Sequence, residues 1–140
     1  EPLGQLFDTI QFGGDNSDQA VAVAIDEGGN VYLAGTTASD LEGTNQGAKD
    51  GYVRSYEAGG ALRWTRQFGT AFGETVWDVA VDDAGHVYVA GSTLGVLEGS
   101  TQGGIDAFVR AYDGNGDLRW TRQFGSTDNG LMRPVRRSSA

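Results

Sequence analysis

Apolar positions in this chain fall in short runs that alternate with a period of two and stop at glycine-bearing turns. Val21-Ala22-Val23-Ala24-Ile25 leads into Asp26-Glu27-Gly28-Gly29-Asn30, and Val31-Tyr32-Leu33-Ala34-Gly35-Thr36 returns. β-Branched and aromatic residues flanking a glycine-containing turn predict a hairpin. A longer polar loop, Thr37 to Asp50, separates this hairpin from Tyr52-Val53-Arg54-Ser55-Tyr56 and Ala61 to Phe68, joined by Glu57-Ala58-Gly59-Gly60. Four strands in succession predict an antiparallel meander.

The pattern then recurs. Trp64-Thr65-Arg66-Gln67-Phe68-Gly69 returns unchanged as Trp120-Thr121-Arg122-Gln123-Phe124-Gly125, so the period is 56 residues. Gln11 to Arg66 aligns with Gln67 to Arg122 without a gap, with 27 of the 56 positions identical. A unit of this length cannot bury its apolar face alone, and neighbouring units must stack to complete a core. Val21, Val23 and Ile25 point one way and Ala20, Ala22 and Ala24 the other, so the first strand is apolar on both sides and is expected between sheets. The fourth strand sets Leu62, Trp64, Arg66 and Phe68 against Arg63, Thr65 and Gln67, which suits the periphery. A meander with a buried first strand and a more polar last one has the form of a β-propeller blade.

The predicted fold is therefore all-β, with two four-stranded antiparallel meanders at residues 14–69 and 70–125 and one extra N-terminal strand within residues 1–13. In that leading segment Leu6 to Phe12 aligns with Leu62 to Phe68, and residues 126–140 form a divergent basic tail. Propellers close with roughly four to eight blades, so two blades make an incomplete ring unless the chain oligomerises. Open blade faces and unpaired strand edges disfavour an isolated monomer. Three copies or four would close a ring, head-to-tail addition without closure would give a filament, and a piece of a longer propeller is the third reading. Leu6, Ile10 and Phe12 at one end and Leu118, Trp120 and Phe124 at the other are the candidate assembly residues. The leading strand is either exchanged between chains or the remnant of a further blade.

Asp26 to Gly35, Leu41-Glu42-Gly43-Thr44-Asn45-Gln46-Gly47, Asp106 to Tyr112 and Trp120 to Gly125 together resemble the bacterial beta-propeller repeat family known as SBBP repeats. The resemblance covers residue 5 to about residue 128, and its motifs keep their order and spacing in both copies. Glu42 and Glu98 stand where the family commonly has proline, and Trp77 replaces a smaller residue. The resemblance implies propeller blades, often in exported or surface proteins, and it implies no catalytic residues.

Charge narrows the partners. A formal charge of −9 disfavours nucleic acid, whose phosphates are bound by clustered Lys and Arg. The tail inverts that balance with Arg133, Arg136 and Arg137 and no acid, either as a solvated end or as a segment that docks on a neighbour. Cysteine is absent, which excludes disulfides, zinc-thiolate sites and a Cys nucleophile. No run approaches the roughly 18–20 apolar residues that span a bilayer, so membrane insertion is not expected. The start at Glu1, with no Met or leader, reads as a processed form or an excised piece.

Little chemistry is visible. The single histidine, His86, occupies a hairpin turn, and no Ser/His/Asp constellation can be assembled around it. No cofactor is expected, with calcium as the one alternative: Asp113, Asn115 and Asp117 place oxygen ligands at alternate positions, although Leu118 and Phe124 exclude an EF-hand and an Asn-Gly turn explains the same residues. Meander topology gathers the long loops on one face, which carries Asp15, Asp18, Asp40, Glu42, Asn45, Gln46, Glu74, Glu98 and Gln102. An acidic, amide-rich rim suits a cation, a carbohydrate or a basic protein segment. The expectation is thus a non-enzymatic self-assembling scaffold, secreted or at the cell surface, whose main partner is itself. A ligand-binding propeller using the acidic loop face is the alternative.

Overall fold

The computed structural model describes residues 9–45, 47, 49–97, 99 and 104–125. Eight strands appear among them: β1 (Asp18–Ile25), β2 (Val31–Thr37), β3 (Asp50–Tyr56), β4 (Leu62–Phe68), β5 (Glu74–Val81), β6 (Val87–Thr93), β7 (Asp106–Tyr112) and β8 (Leu118–Phe124). They form two open four-stranded antiparallel sheets in the order β1-β2-β3-β4 and β5-β6-β7-β8.

All four tight turns share one construction. The amide of Asp26 donates to the Asn30 carbonyl while the Gly29 amide donates back to Asp26, and the same pair of bonds recurs at Glu57, Asp82 and Asp113. Gly29, Gly60, Gly85 and Gly116 take the left-handed position with φ between 86° and 100°. This is a three-residue hairpin loop in which a left-handed residue follows a type I turn. A bulge interrupts each inner strand, between Ala20 and Ala22 in β1 and between Val76 and Asp78 in β5. Opposite it, a Cβ on Gly35 would lie 1.9 Å from the Gln19 carbonyl oxygen, so glycine lets the backbones meet there.

The core lies between the sheets. Tyr32, Ala34, Val53, Trp64 and Phe68 of the first sheet meet Val76, Val79, Val87, Val89, Phe108 and Tyr112 of the second. Each blade therefore has a leading face, which receives its predecessor, and a trailing face, which enters its successor. The structure corrects the expectation for the first strand: Val23 is 58% and Ile25 64% exposed, while Val79, the counterpart of Val23, is 5% exposed. The cause is the neighbour, because β5 packs on β1, β2 and β3, and among the described residues nothing packs on the leading face of β1 in that way.

Thr9 to Gly13 are described and form no regular strand, and Leu6 lies outside the described residues. Phe12 nevertheless keeps its place in the repeat. Its ring meets Tyr52 edge-on at 5.9 Å, as Phe68 meets Phe108 at 5.6 Å. The guanidinium of Arg54 lies over Phe12 at 4.1 Å, as that of Arg110 lies over Phe68 at 4.8 Å.

Candidate functional site

The acidic loop rim is held together by its own backbone. The Thr37 hydroxyl and the Gly14 amide donate to Asp18, the Asn45 amide donates to Asp40, and the Gln67 amide donates to Glu42. Asn45 donates to the carbonyls of Thr37 and Ser39 and accepts from the Gly47 amide. Glu74, almost fully buried, accepts from the Thr70 amide and from the hydroxyls of Thr70 and Thr93. Burial pushes its carboxyl above the usual range, and those hydrogen bonds and nearby Asp50 act on it as well. Asp15 is exposed, and Gln46, Glu98 and Gln102 lie outside the described residues.

One clamp escaped the sequence reading. Gln67 accepts from the amides of Leu41 and Glu42 and donates to the Ser39 carbonyl and to Asp50, pinning the long loop to the end of β4. Gln123 does the same with Leu97, Gly95 and Asp106. Its retention in both copies of Trp-Thr-Arg-Gln-Phe-Gly was the available signal.

At the proposed calcium turn, one carboxylate oxygen of Asp113 accepts from the amides of both Asn115 and Asp117. The backbone amide of Asp117 is the main cause that holds Asp113 below the ordinary carboxylate value. Among the described residues no group of three or more His, Cys, Asp or Glu side chains converges as a metal site would require. His86 belongs to its own turn: Asp82 accepts from its backbone amide, lies 3.2 Å from its Nδ1 and accepts from the Tyr88 hydroxyl. The His86 amide does most to bring the Asp82 carboxyl down to about 2.

The junction between the sheets combines aromatic packing with hydrogen bonds from charged side chains. The Trp64 ring sits 6.0 Å from Tyr32 on its own sheet and 6.3 Å from Tyr112 on the next. Its indole N–H donates to the Gly114 carbonyl at 2.9 Å, and Arg63 donates to that same oxygen. Arg66 stacks on the indole and donates to the Gly116 carbonyl at 2.6 Å. Arg63 also reaches Tyr32 and Ser55, so this network ties the first sheet to a turn of the second. A burial contact of this kind, aromatic at the centre with charged donors on backbone carbonyls, is directional.

Each half of the junction occurs a second time without its partner among the described residues. On the trailing face of the second sheet, Phe124 is 57% exposed where Phe68 is 5% exposed, and Trp120 is half-buried where Trp64 is buried; Leu118 is as exposed as Leu62, which has a successor blade. On the leading face of the first sheet, Ile10, Phe12, Val31, Leu33 and Tyr56 line an open apolar cleft with the Glu57–Gly60 turn. Of the candidate assembly residues, Ile10 and Phe12 border one open face and Trp120 and Phe124 the other, while Leu118, like Leu62, lies outside the junction.

The Beta-propeller repeat family SBBP matches residues 9–42 and 63–98. The chain is also similar to Regulatory protein FlaEY of Caulobacter vibrioides, at 30% identity over 113 residues that cover 75% of this chain and 11% of that protein. It thus spans about a tenth of the length of that relative.

Proposed function

This chain belongs to the SBBP beta-propeller repeat family, and from that premise we propose that it is a non-enzymatic pair of propeller blades that self-associates through its two open faces as a structural scaffold outside the cytoplasm. One observation carries the reading. The same hexapeptide ends both blades, and its phenylalanine is buried where a successor blade follows and 57% exposed where none does among the described residues. An exposed aromatic cluster on one outer face and an apolar cleft on the other are what an interface between copies requires. Because the two surfaces differ, the contact is heterologous, so copies add head to tail until a ring closes or a filament grows. Three copies or four would supply the six or eight blades of an ordinary propeller.

The same faces suit a blade pair inside a longer propeller, where neighbouring blades of one chain cover them. The match to a stretch amounting to 11% of FlaEY favours this second reading, and a regulatory role named for so large a protein would then rest on more than these blades. Sedimentation velocity on the 140-residue chain over a hundredfold concentration range separates the two readings. Self-association predicts mass growing from the 14.7 kDa monomer towards discrete or open-ended species. A monomer throughout overturns it.

A further inference from the structure

We propose that the cleft formed by Val31, Leu33, Tyr56, Ala58 and Gly60 is a tryptophan slot, and that it takes Trp120 of a second copy of this chain. The inference rests on the self-association reading and names its anchor.

The junction between the two sheets supplies the template. Trp64 lies against Tyr112, donates to the Gly114 carbonyl and crosses Gly116, where a Cβ would come within 2.8 Å of the indole. One repeat earlier, the same positions are Tyr56, Ala58 and Gly60, and instead of an indole they border an open cleft of about 260 Å³. The frame is preserved: Gly60 has φ +100° where Gly116 has +87°. Alanine at position 58 does not obstruct it, because a Cβ on Gly114 would meet only the Gly85 carbonyl, at 3.4 Å, and not Trp64.

The chain's own leading segment fills this cleft in part. Phe12 is seated as Phe68 is, but the residue 56 positions before Trp64 is Asp8, and the residue before Arg66 by the same count is Ile10. So the sequence offers a phenylalanine and an isoleucine to the slot, with a carboxylate where both later repeats carry the indole.

At the other end of the molecule the missing group is ready. Trp120 sits 6.1 Å from Tyr88 with Arg122 stacked at 5.4 Å, reproducing Trp64 with Tyr32 at 6.0 Å and Arg66 at 5.6 Å. An anchor already held in its docked arrangement loses little conformational freedom on binding. By the template, the Trp120 N–H donates to the Ala58 carbonyl, and once Ile10 and Phe12 give up the places that correspond to Arg66 and Phe68, Arg122 donates to the Gly60 carbonyl. Arg119 and Arg122 also bring positive charge towards Glu57 at the slot's edge, which favours this register over others.

The test uses two single variants and their mixture, followed by sedimentation velocity with far-UV circular dichroism as the check on folding. Trp120→Ala removes the anchor and keeps the slot; Leu33→Arg blocks the slot and keeps the anchor. Each is expected to raise the concentration needed for association by about 30-fold or more, the size of a hot-spot truncation. Mixed one to one, they have a single intact anchor and a single intact slot between them, so a 1:1 heterodimer that grows no further is expected. Wild-type association that survives Trp120→Ala overturns the slot and leaves self-association standing. Folded variants that stay monomeric when mixed also overturn it, and a monomeric wild type overturns both.

Discussion

The two copies of the tryptophan offer an internal control on the energetics of blade stacking. Trp64 is 9% exposed, touches aromatic rings on both sheets and hydrogen-bonds across the junction, whereas Trp120 is half-buried and meets only its own sheet among the described residues. A buried aromatic removes about 150–250 Å² from water, which at about 25 cal/mol per Å² is worth roughly 4–6 kcal/mol as an upper bound. Measured truncations of buried Phe or Trp to Ala cost about 3–5 kcal/mol. The lost indole hydrogen bond falls within that range rather than adding to it, since Arg63 still satisfies the Gly114 carbonyl. Trp64→Ala is therefore expected to cost about 3–5 kcal/mol.

Trp120→Ala, in the dissociated chain, removes a ring pair with Tyr88 and a cation stacked above the indole. Such contacts at partly exposed sites contribute about 0.5–1.5 kcal/mol each. The predicted gap between the variants is thus about 2 kcal/mol at mid-range, although the residues are identical and lie in identical hexapeptides. Urea unfolding followed by far-UV circular dichroism, at concentrations below association, measures it without relying on tryptophan emission. Equal losses would mean that Trp64 draws its stability from its own sheet, and the assignment of the core to the junction would be wrong.

Two further outcomes follow from the turns. Gly116→Ala and Gly85→Ala both force alanine into left-handed backbone at about 1–2 kcal/mol, but the methyl at 116 also strikes Trp64 at 2.8 Å while one at 85 meets open space, so Gly116→Ala should cost about 1–3 kcal/mol more by denaturant titration; equal costs would show the indole to be loosely held. Asp82, held down to about 2 chiefly by the His86 amide, contributes stability that is complete above its unfolded value of about 4 and is lost as pH falls towards 2. The melting-temperature gap between wild type and Asp82→Asn should therefore be constant near neutral pH and close between about pH 4 and pH 2; a gap unchanged by acid would show that the turn does not favour the carboxylate.

Local signals made the strands legible. Alternation, glycine turns and a repeat of fixed length place eight strands, because each depends only on residues close in sequence. Burial was legible only where a neighbour exists. Val23 and Val79 have the same local pattern, and one is exposed because burying a strand face takes a second sheet. The loop rim was read from meander topology, and the use of its side chains was hidden. Asp40 and Glu42 accept from the amides of Asn45 and Gln67, and which amides turn towards a carboxylate is decided by loop conformation, not by composition. Gln67 was passed over for a related reason: an amide in a strand looks solvated until its three bonds to the long loop and its bond to Asp50 are drawn.

The blade faces also explain why a fold with an obvious repeat should carry an irregular first segment. A contact between unlike faces has no intrinsic stop, since every added blade exposes the same trailing surface again. Growth of this kind is controlled either by closure or by a segment that occupies the slot without continuing the pattern. Of the residues before the first sheet, Phe12 keeps the packing of Phe68 and Ile10 lines the cleft, while the sequence has an aspartate, Asp8, 56 residues before Trp64. On the self-association reading, Phe12 and Ile10 cover apolar surface in the free chain and have to yield to an incoming copy. On this argument the departures of residues 8 and 10 from the repeat matter more than its regularity, because they set how readily the first blade accepts a neighbour.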